Sequence, residues 1–310
     1  MNLNDPKAPV LEFSPVAPED YDRIFPFTSR YGEGSCQLSP VSMFSLSEKY
    51  GDSVCVRNGV LYTLRKNLCD ESFRVYLAPL GDDARSGYAS VLSDAAAYGK
   101  RVRFESLTEA QASLLEEVFP GRFRITEDRD LAEYMYRTEI MSSFPGRSNR
   151  KRRYEVNAFR TQYGERASAE VIRPGDYGEI LSFARDWVRE NASTHDAEAL
   201  EREERMIGKQ MAHFEALRLS GVVLRIDGVI KGFSYGTKLS DEFYDTIAEK
   251  ADRNIPHIYK VLRAEATKQC CMDCRYVNYE EDLGIPGLRY IKTAYRPEFL
   301  LNKYIAAEKE

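Results

Sequence analysis

The chain has no apolar run approaching the ~20 residues of a membrane span, and Met1 to Lys7 shows neither the basic start nor the apolar stretch of a secretory signal. Those absences predict a cytoplasmic chain without a targeting segment. Histidine is scarce: His195 and His213 fall in helical stretches among polar neighbours, and His257 borders a loop, so no metal site is expected. The six cysteines (Cys36, Cys55, Cys69, Cys270, Cys271 and Cys274) are scattered through a chain too long to need a disulfide framework, which predicts reduced thiols. Cys271 and Cys274 form a C-x-x-C with only Cys270 nearby, short of a four-ligand zinc site, so they read as small buried residues at a helix end. No G-x-S-x-G supports a seryl hydrolase. Neither sign of charge dominates, since 44 basic against 49 acidic residues leave −5, and a generic nucleic-acid coat is excluded.

What remains is an ordinary globular composition, 43% hydrophobic and 30% charged, which excludes global disorder. A length of 310 residues favours two domains. An arm rich in proline and polar residues leads to about Asp20, with a short helix near Pro18 to Phe25. The runs 53–57 and 60–64 flank Asn58-Gly59, a dipeptide suited to the two positive-φ positions of a type I′ hairpin turn. A strand at 73–77, a helix at 88–98 and a strand at 102–105 follow, and Ser106-Leu107-Thr108-Glu109 fits a capping box opening a helix that Pro120-Gly121 closes.

The second half repeats this order. Ile180, Leu181, Ala184, Trp187 and Val188 mark one helix face, and Met206 to Leu217 another. Strands at 222–226 and 229–235 flank Asp227-Gly228, a strand covers 243–248, a helix carries Ile258, Val261, Leu262 and Glu265, and a strand covers 275–279. The two hairpin dipeptides stand 169 residues apart, and Phe73 and Phe243 stand 170 apart. Agreement in order, turn chemistry and spacing predicts an internal duplication. We therefore expect an α/β chain of two similar units with mixed sheets, residues 1–160 and 161–310, meeting near 150 to 170, with the functional cleft in or beside the C-terminal unit. Among such layouts the Gcn5-related N-acetyltransferase (GNAT) fold has this order, an analogy of fold alone.

The run from Asn278 through Glu280-Glu281-Asp282-Leu283-Gly284-Ile285-Pro286-Gly287 to Tyr295-Arg296-Pro297 resembles the signature of the DUF2156 family, related to the C-terminal domain of phosphatidylglycerol lysyltransferase. Ser35-Cys36, Glu249-Lys250-Ala251-Asp252, Tyr134-Met135-Tyr136-Arg137, Pro145-Gly146 and Arg150-Lys151-Arg152 extend the resemblance over nearly the whole chain. It implies tandem GNAT-like acyltransferase domains, shared with Fem-type peptidyltransferases that take an amino acid from aminoacyl-tRNA. The lysyltransferase relatives move lysine from its tRNA to a lipid headgroup. The membrane helices of those full-length lipid-modifying enzymes are absent here, which weakens the case for a membrane-lipid acceptor and leaves a small-molecule acceptor open.

Tyr290-Ile291-Lys292-Thr293-Ala294-Tyr295 resembles the Fem-type segment aromatic-Lys-x-x-aromatic, with Ile291 where an aromatic residue is expected. The resemblance implies that Lys292 stabilises negative charge on the carbonyl oxygen during acyl transfer; on its residue type alone it also fits a snorkelling surface lysine. Three adjacent carboxylates, Glu280, Glu281 and Asp282, repel one another, so one of them in a partly buried turn has a raised pKa and can take a proton or hold an ammonium. An acidic surface turn is the alternative. Strand alternation directs Glu280 and Asp282 inward and Glu281 away. Arg289 is suited to bidentate binding of phosphate or carboxylate, and Asn278 and Glu249 are further substrate-binding candidates. Arg147, Arg150, Lys151, Arg152 and Arg153 crowd the start of a helix expected to run to Arg160, and they fit either a phosphate cradle or a solvated face. Such a cradle suits a tRNA acceptor end, a nucleotide-linked donor or a lipid headgroup; with no aromatic residues interleaved, a single-strand stacking platform is not expected. Acyl-CoA is the rival donor, but the loop Asp252 to His257 lacks the glycine that wraps a pyrophosphate, and near Gly81 and Gly87 the carboxylates of Asp82 and Asp83 would repel it. No tightly bound cofactor is expected.

Overall fold

The computed structural model describes residues 11–68, 70–191 and 197–310; Cys69, His195 and the first ten residues of the arm lie outside them. The chain divides into two compact units. The first comprises residues 1–134, 281–295 and 299–310, and the second 135–280 and 296–298. This corrects the expected boundary near residue 160: the chain leaves the first unit earlier, and its end returns to it.

In the first unit, strands Ser53–Arg57 and Val60–Arg65 form the hairpin around Asn58 and Gly59, whose φ values are 51° and 73°. Phe73–Tyr76 pairs antiparallel with the second hairpin strand, and Arg101–Leu107 lies parallel to it after the crossover helix Ala84–Ala97. The last strand, Tyr304–Glu308, is inserted antiparallel between Arg101–Leu107 and Phe123–Glu127. Tyr76, Tyr88, Leu92, Phe104, Leu115 and Ala306 share the buried core. The helix Glu109–Val118 is capped by Thr108 and Gln111, which exchange side-chain and backbone hydrogen bonds, rather than by Ser106 and Glu109. Ser106 has a φ of 55° and belongs to the preceding strand, so the cap falls two residues later than the motif suggests.

The second unit repeats the programme. Ser220–Ile226 and Val229–Lys238 pair across Asp227-Gly228, Phe243–Ala251 adds antiparallel, and Tyr276–Glu281 adds parallel after the helix Ile258–Cys270. The parallel pairing registers only from Phe243 with Tyr276 to Asp245 with Asn278, although both strands continue beyond it. Gly236 permits the approach of its neighbour, because a Cβ there would lie 1.7 Å from the Asp245 carbonyl oxygen. Tyr244, Cys271, Cys274 and Val277 pack in one cluster. Burial pushes the Cys270 and Cys274 thiols up to about 11 and Cys271 higher still. Among the described residues no helix is long and apolar enough to cross a membrane.

Candidate active site

The segment 281–294 is shaped by a tight turn. Leu283 and Gly284 have φ values of 52° and 71°, and the Gly284 Cα faces the Asp130 carboxylate so closely that a Cβ would lie 2.7 Å from Oδ2. Leu283 N–H donates to the Asp130 carbonyl, and Pro286, with no N–H to satisfy, opens the helix Pro286–Ala294. That helix presents Arg289 and Lys292 three residues apart, on neighbouring positions of one face.

Asp282 is fully buried and saturated with donors. Arg289 grips both carboxylate oxygens at 2.7 and 2.9 Å, Tyr134 Oη donates at 2.6 Å, Arg129 at 3.2 Å and Gly284 N–H at 2.9 Å. Burial alone would raise its pKa; the hydrogen bonds from Arg289, Tyr134 and Gly284 outweigh that and hold the carboxyl well below the usual carboxylate range. A carboxylate so stabilised has little proton affinity. The arrangement therefore makes Asp282 an anchor for Arg289, Arg129 and Tyr134, and corrects the expectation that it serves as a base.

Glu281 has the opposite environment. Burial of its carboxyl and the nearby Glu133 charge raise its pKa, against the pull of its own backbone hydrogen bond, Lys292 and Lys303. Cys36 Sγ lies 3.7 Å from Oε2 and Gln37 Nε2 donates to Oε1 at 3.4 Å. Gln37 in turn accepts from Arg65 Nη1 at 3.4 Å, and Arg65 is held by a buried two-point pair with Asp52 at 2.8 Å. Lys292 Nζ donates to the Glu281 carbonyl at 2.5 Å and stands 5.7 Å from the centre of the Tyr134 ring. Lys303 and Glu133, both wholly buried, pair at 2.7 Å, and Glu133 also accepts from Ser35 Oγ and Cys36 N–H at 2.9 Å.

Asp282 is buried as alternation directs, but Glu281 is not turned away, because Glu280 has a φ of 55°, which interrupts the side-to-side order of an extended strand. Glu281 is thus half-buried beside the wholly buried Asp282, and Glu133 and Lys303 are functional candidates that sequence reasoning missed. Glu133 precedes the quoted Tyr134 motif and Lys303 follows the C-terminal one, but their pairing spans 170 residues.

The remaining candidates belong to the second unit. Asn278 is buried and accepts from Glu280 N–H at 2.7 Å, and Glu249 is gripped by Arg263 at 2.8 Å. The basic run forms a short 3-10 turn, Arg147–Asn149, and then the helix Arg150–Tyr163, which outlasts Arg160 by three residues. Arg147, Arg150 and Lys151 are exposed, whereas Arg152 donates to Asn149 at 2.7 Å and Arg153 to the carbonyls of Phe144 and Gly146 at 2.5 Å. Tyr154, 71% exposed, directly follows the cluster, within which no aromatic residue is interleaved.

The family model described as "Phosphatidylglycerol lysyltransferase, C-terminal" matches residues 39–307. A crystal structure of a conserved protein of unknown function from Bacteroides thetaiotaomicron VPI-5482 is 28% identical, with a TM-score of 0.90 over 97% of this chain and 100% of that one. The structure of L-PGS from Bacillus licheniformis shares the fold at 15% identity, with a TM-score of 0.63 over 94% of this chain and 93% of that one. An uncharacterised protein of Mycoplasmoides gallisepticum is 24% identical over 175 residues, 56% of this chain. That match covers 54% of the curated relative's length, so the chain spans about half of it. The expected mixed α/β architecture holds in both units.

Proposed function

Because this chain belongs to the phosphatidylglycerol lysyltransferase C-terminal family, we propose that it transfers an aminoacyl group from an aminoacyl-tRNA to an amine or hydroxyl acceptor. The observation that carries this reading is the Lys292 ammonium on the Glu281 backbone carbonyl, a cation within electrostatic reach of a carboxyl whose proton affinity burial raises. Acyl transfer from an ester needs those two functions together. The Glu281 carboxylate takes the proton of the acceptor N–H or O–H as the new C–N or C–O bond forms. Lys292 stabilises the charge that develops on the carbonyl oxygen. The ester C–O bond to the donor ribose then breaks, and the proton on Glu281 passes to the leaving oxygen. Asp282 keeps Arg289 and Tyr134 in position around Lys292.

Transfer by the purified chain is measured with aminoacyl-tRNAs and, separately, acyl-CoAs as donors. The proposal expects turnover with an aminoacyl-tRNA, and turnover with acyl-CoA alone would replace it by the acetyl-CoA-type reaction. Lys292→Met should lower turnover by on the order of 10² while leaving the fold and most donor affinity unchanged, since the interaction is strongest in the transition state. Full turnover by that variant on an authentic substrate pair would sink the mechanism. Glu281→Gln should remove the acidic limb of the pH–rate profile, which lies above the ordinary carboxylate range because the pKa is raised.

A further inference from the structure

The second unit holds an open cleft of about 130 Å³ between the helices Arg150–Tyr163 and Ile258–Cys270. Along the first helix Arg153, Val156, Asn157 and Arg160 fall on one face at spacings of three and four, and all four line the cleft. The second helix contributes Ala264, whose small side chain leaves room, and Lys268 one turn later. Three cations therefore converge on one cavity. Arg153 spends one nitrogen on the Phe144 and Gly146 carbonyls, which fixes its fork, and makes no ion pair among the described residues. Arg160 and Lys268 share a single acid, Glu265, at 2.9 and 3.0 Å. Three cations against one carboxylate leave two positive charges, more than a carboxylate ligand would neutralise. Phe144 and Val156 give the cavity apolar wall on which the carbon skeleton of a ligand can rest.

We propose that this cleft is a phosphate-ester subsite, in which Arg160 and Lys268 exchange Glu265 for phosphate oxygens beside the fixed Arg153 guanidinium. Planar guanidinium forks match phosphate oxygens in pairs, and the ammonium adds a point charge. The exposed Arg150 and Lys151 on the preceding turn continue the positive track along the helix. Assigning the phosphate to the acceptor end of an RNA donor rests on the transferase reading; the chemistry of the cleft does not. A small nucleotide ester is the other source of the same group.

The test is equilibrium binding of uncharged tRNA, coenzyme A and inorganic pyrophosphate to the full chain across a salt series, with no transfer step involved. Arg160→Gln/Lys268→Gln should weaken tRNA binding on the order of tenfold and reduce the slope of log affinity against log salt by about 1 to 2, one unit or slightly less per lost phosphate contact. Glu265→Gln should tighten binding, because it removes the acid that competes with the ligand for both cations. All three side chains are at least part-exposed, and thermal unfolding followed by circular dichroism verifies that the variants fold. If coenzyme A or pyrophosphate binding falls in the double variant while tRNA does not bind the wild-type chain, the subsite stands and the RNA-donor reading is lost. If tRNA binds wild type and variants alike and neither small probe responds, the subsite is refuted and the donor reading survives. Binding of none of the three probes to the wild-type chain refutes the subsite too.

Discussion

At the scale of single residues, adjacent Glu281 and Asp282 are driven in opposite directions by their surroundings. Asp282 is covered, but by a thin shell: Arg129 and Arg289 are each more than a third exposed, so water screens part of the attraction. Its folded-state carboxyl is held below the ordinary value near 3.9, so the folded chain binds fewer protons there than the unfolded chain. The resulting stabilisation is fully present above that ordinary value and is lost as pH falls through the lower folded value. Asp282→Asn should cost about 2 kcal/mol at pH 7, below the 3 to 5 typical of breaking a fully enclosed pair. Urea unfolding between pH 7 and pH 2 measures this, with the variant expected to lose less stability than wild type on acidification. Parallel pH profiles would show that Asp282 is not the titrating anchor. Glu281 works with the reverse sign, because its raised carboxyl favours the folded state at low pH and loses that contribution as pH rises.

At the scale of elements, close antiparallel pairing with Val229–Lys238 positions the strand Phe243–Ala251 of the second unit. Gly236→Ala would drive a methyl into the Asp245 backbone oxygen, a contact that no rotamer change can relieve, so the strand pair must shift. A loss of about 2 to 4 kcal/mol in chemical denaturation is expected, in the range of overpacking and somewhat above it because backbone is involved; a change under about 0.5 would mean that the strands already slide there. The hairpins were legible in the sequence because Asn58-Gly59 and Asp227-Gly228 carry their own backbone requirement, and the helices because their apolar spacing is local. The capping box at Thr108 was displaced because two overlapping S/T-x-x-E/Q patterns compete and only one begins where Ser106 ends the extended backbone. Glu280 defeated the alternation rule for a related reason. One positive φ in a polar residue lets Glu281 turn in beside the buried Asp282, and nothing in residue type alone announces it.

At the scale of the whole chain, what the sequence could not yield is the return of its end to the first unit. Tyr304–Glu308 has the alternation of any short strand, and its partners, Arg101–Leu107 and Phe123–Glu127, lie almost 200 residues earlier. Local pattern says that a strand forms; it does not say which of two similar sheets receives it. The consequence is that the last residues are structural. Tyr304 to Glu308 fill the place between two strands, Ala306 is wholly buried in the core, and Glu308 accepts from Arg122 at 2.6 and 2.8 Å and from Val102 N–H at 2.8 Å. Lys303 neutralises the buried Glu133. Removing residues 303–310 would leave that carboxylate without its ammonium, expose two strand edges and open the core. The loss should exceed that of Lys303→Met, which removes only the ammonium's contacts with Glu133 and Ser35 and should cost about 3 to 5 kcal/mol. Hydrogen exchange gives the decisive reading: protection should collapse first in Arg101–Leu107 and Phe123–Glu127, the two strands that flank the missing one. Native protection of those two strands in the shortened chain would show that the sheet can close without its last strand and would remove the final residues from the account of folding.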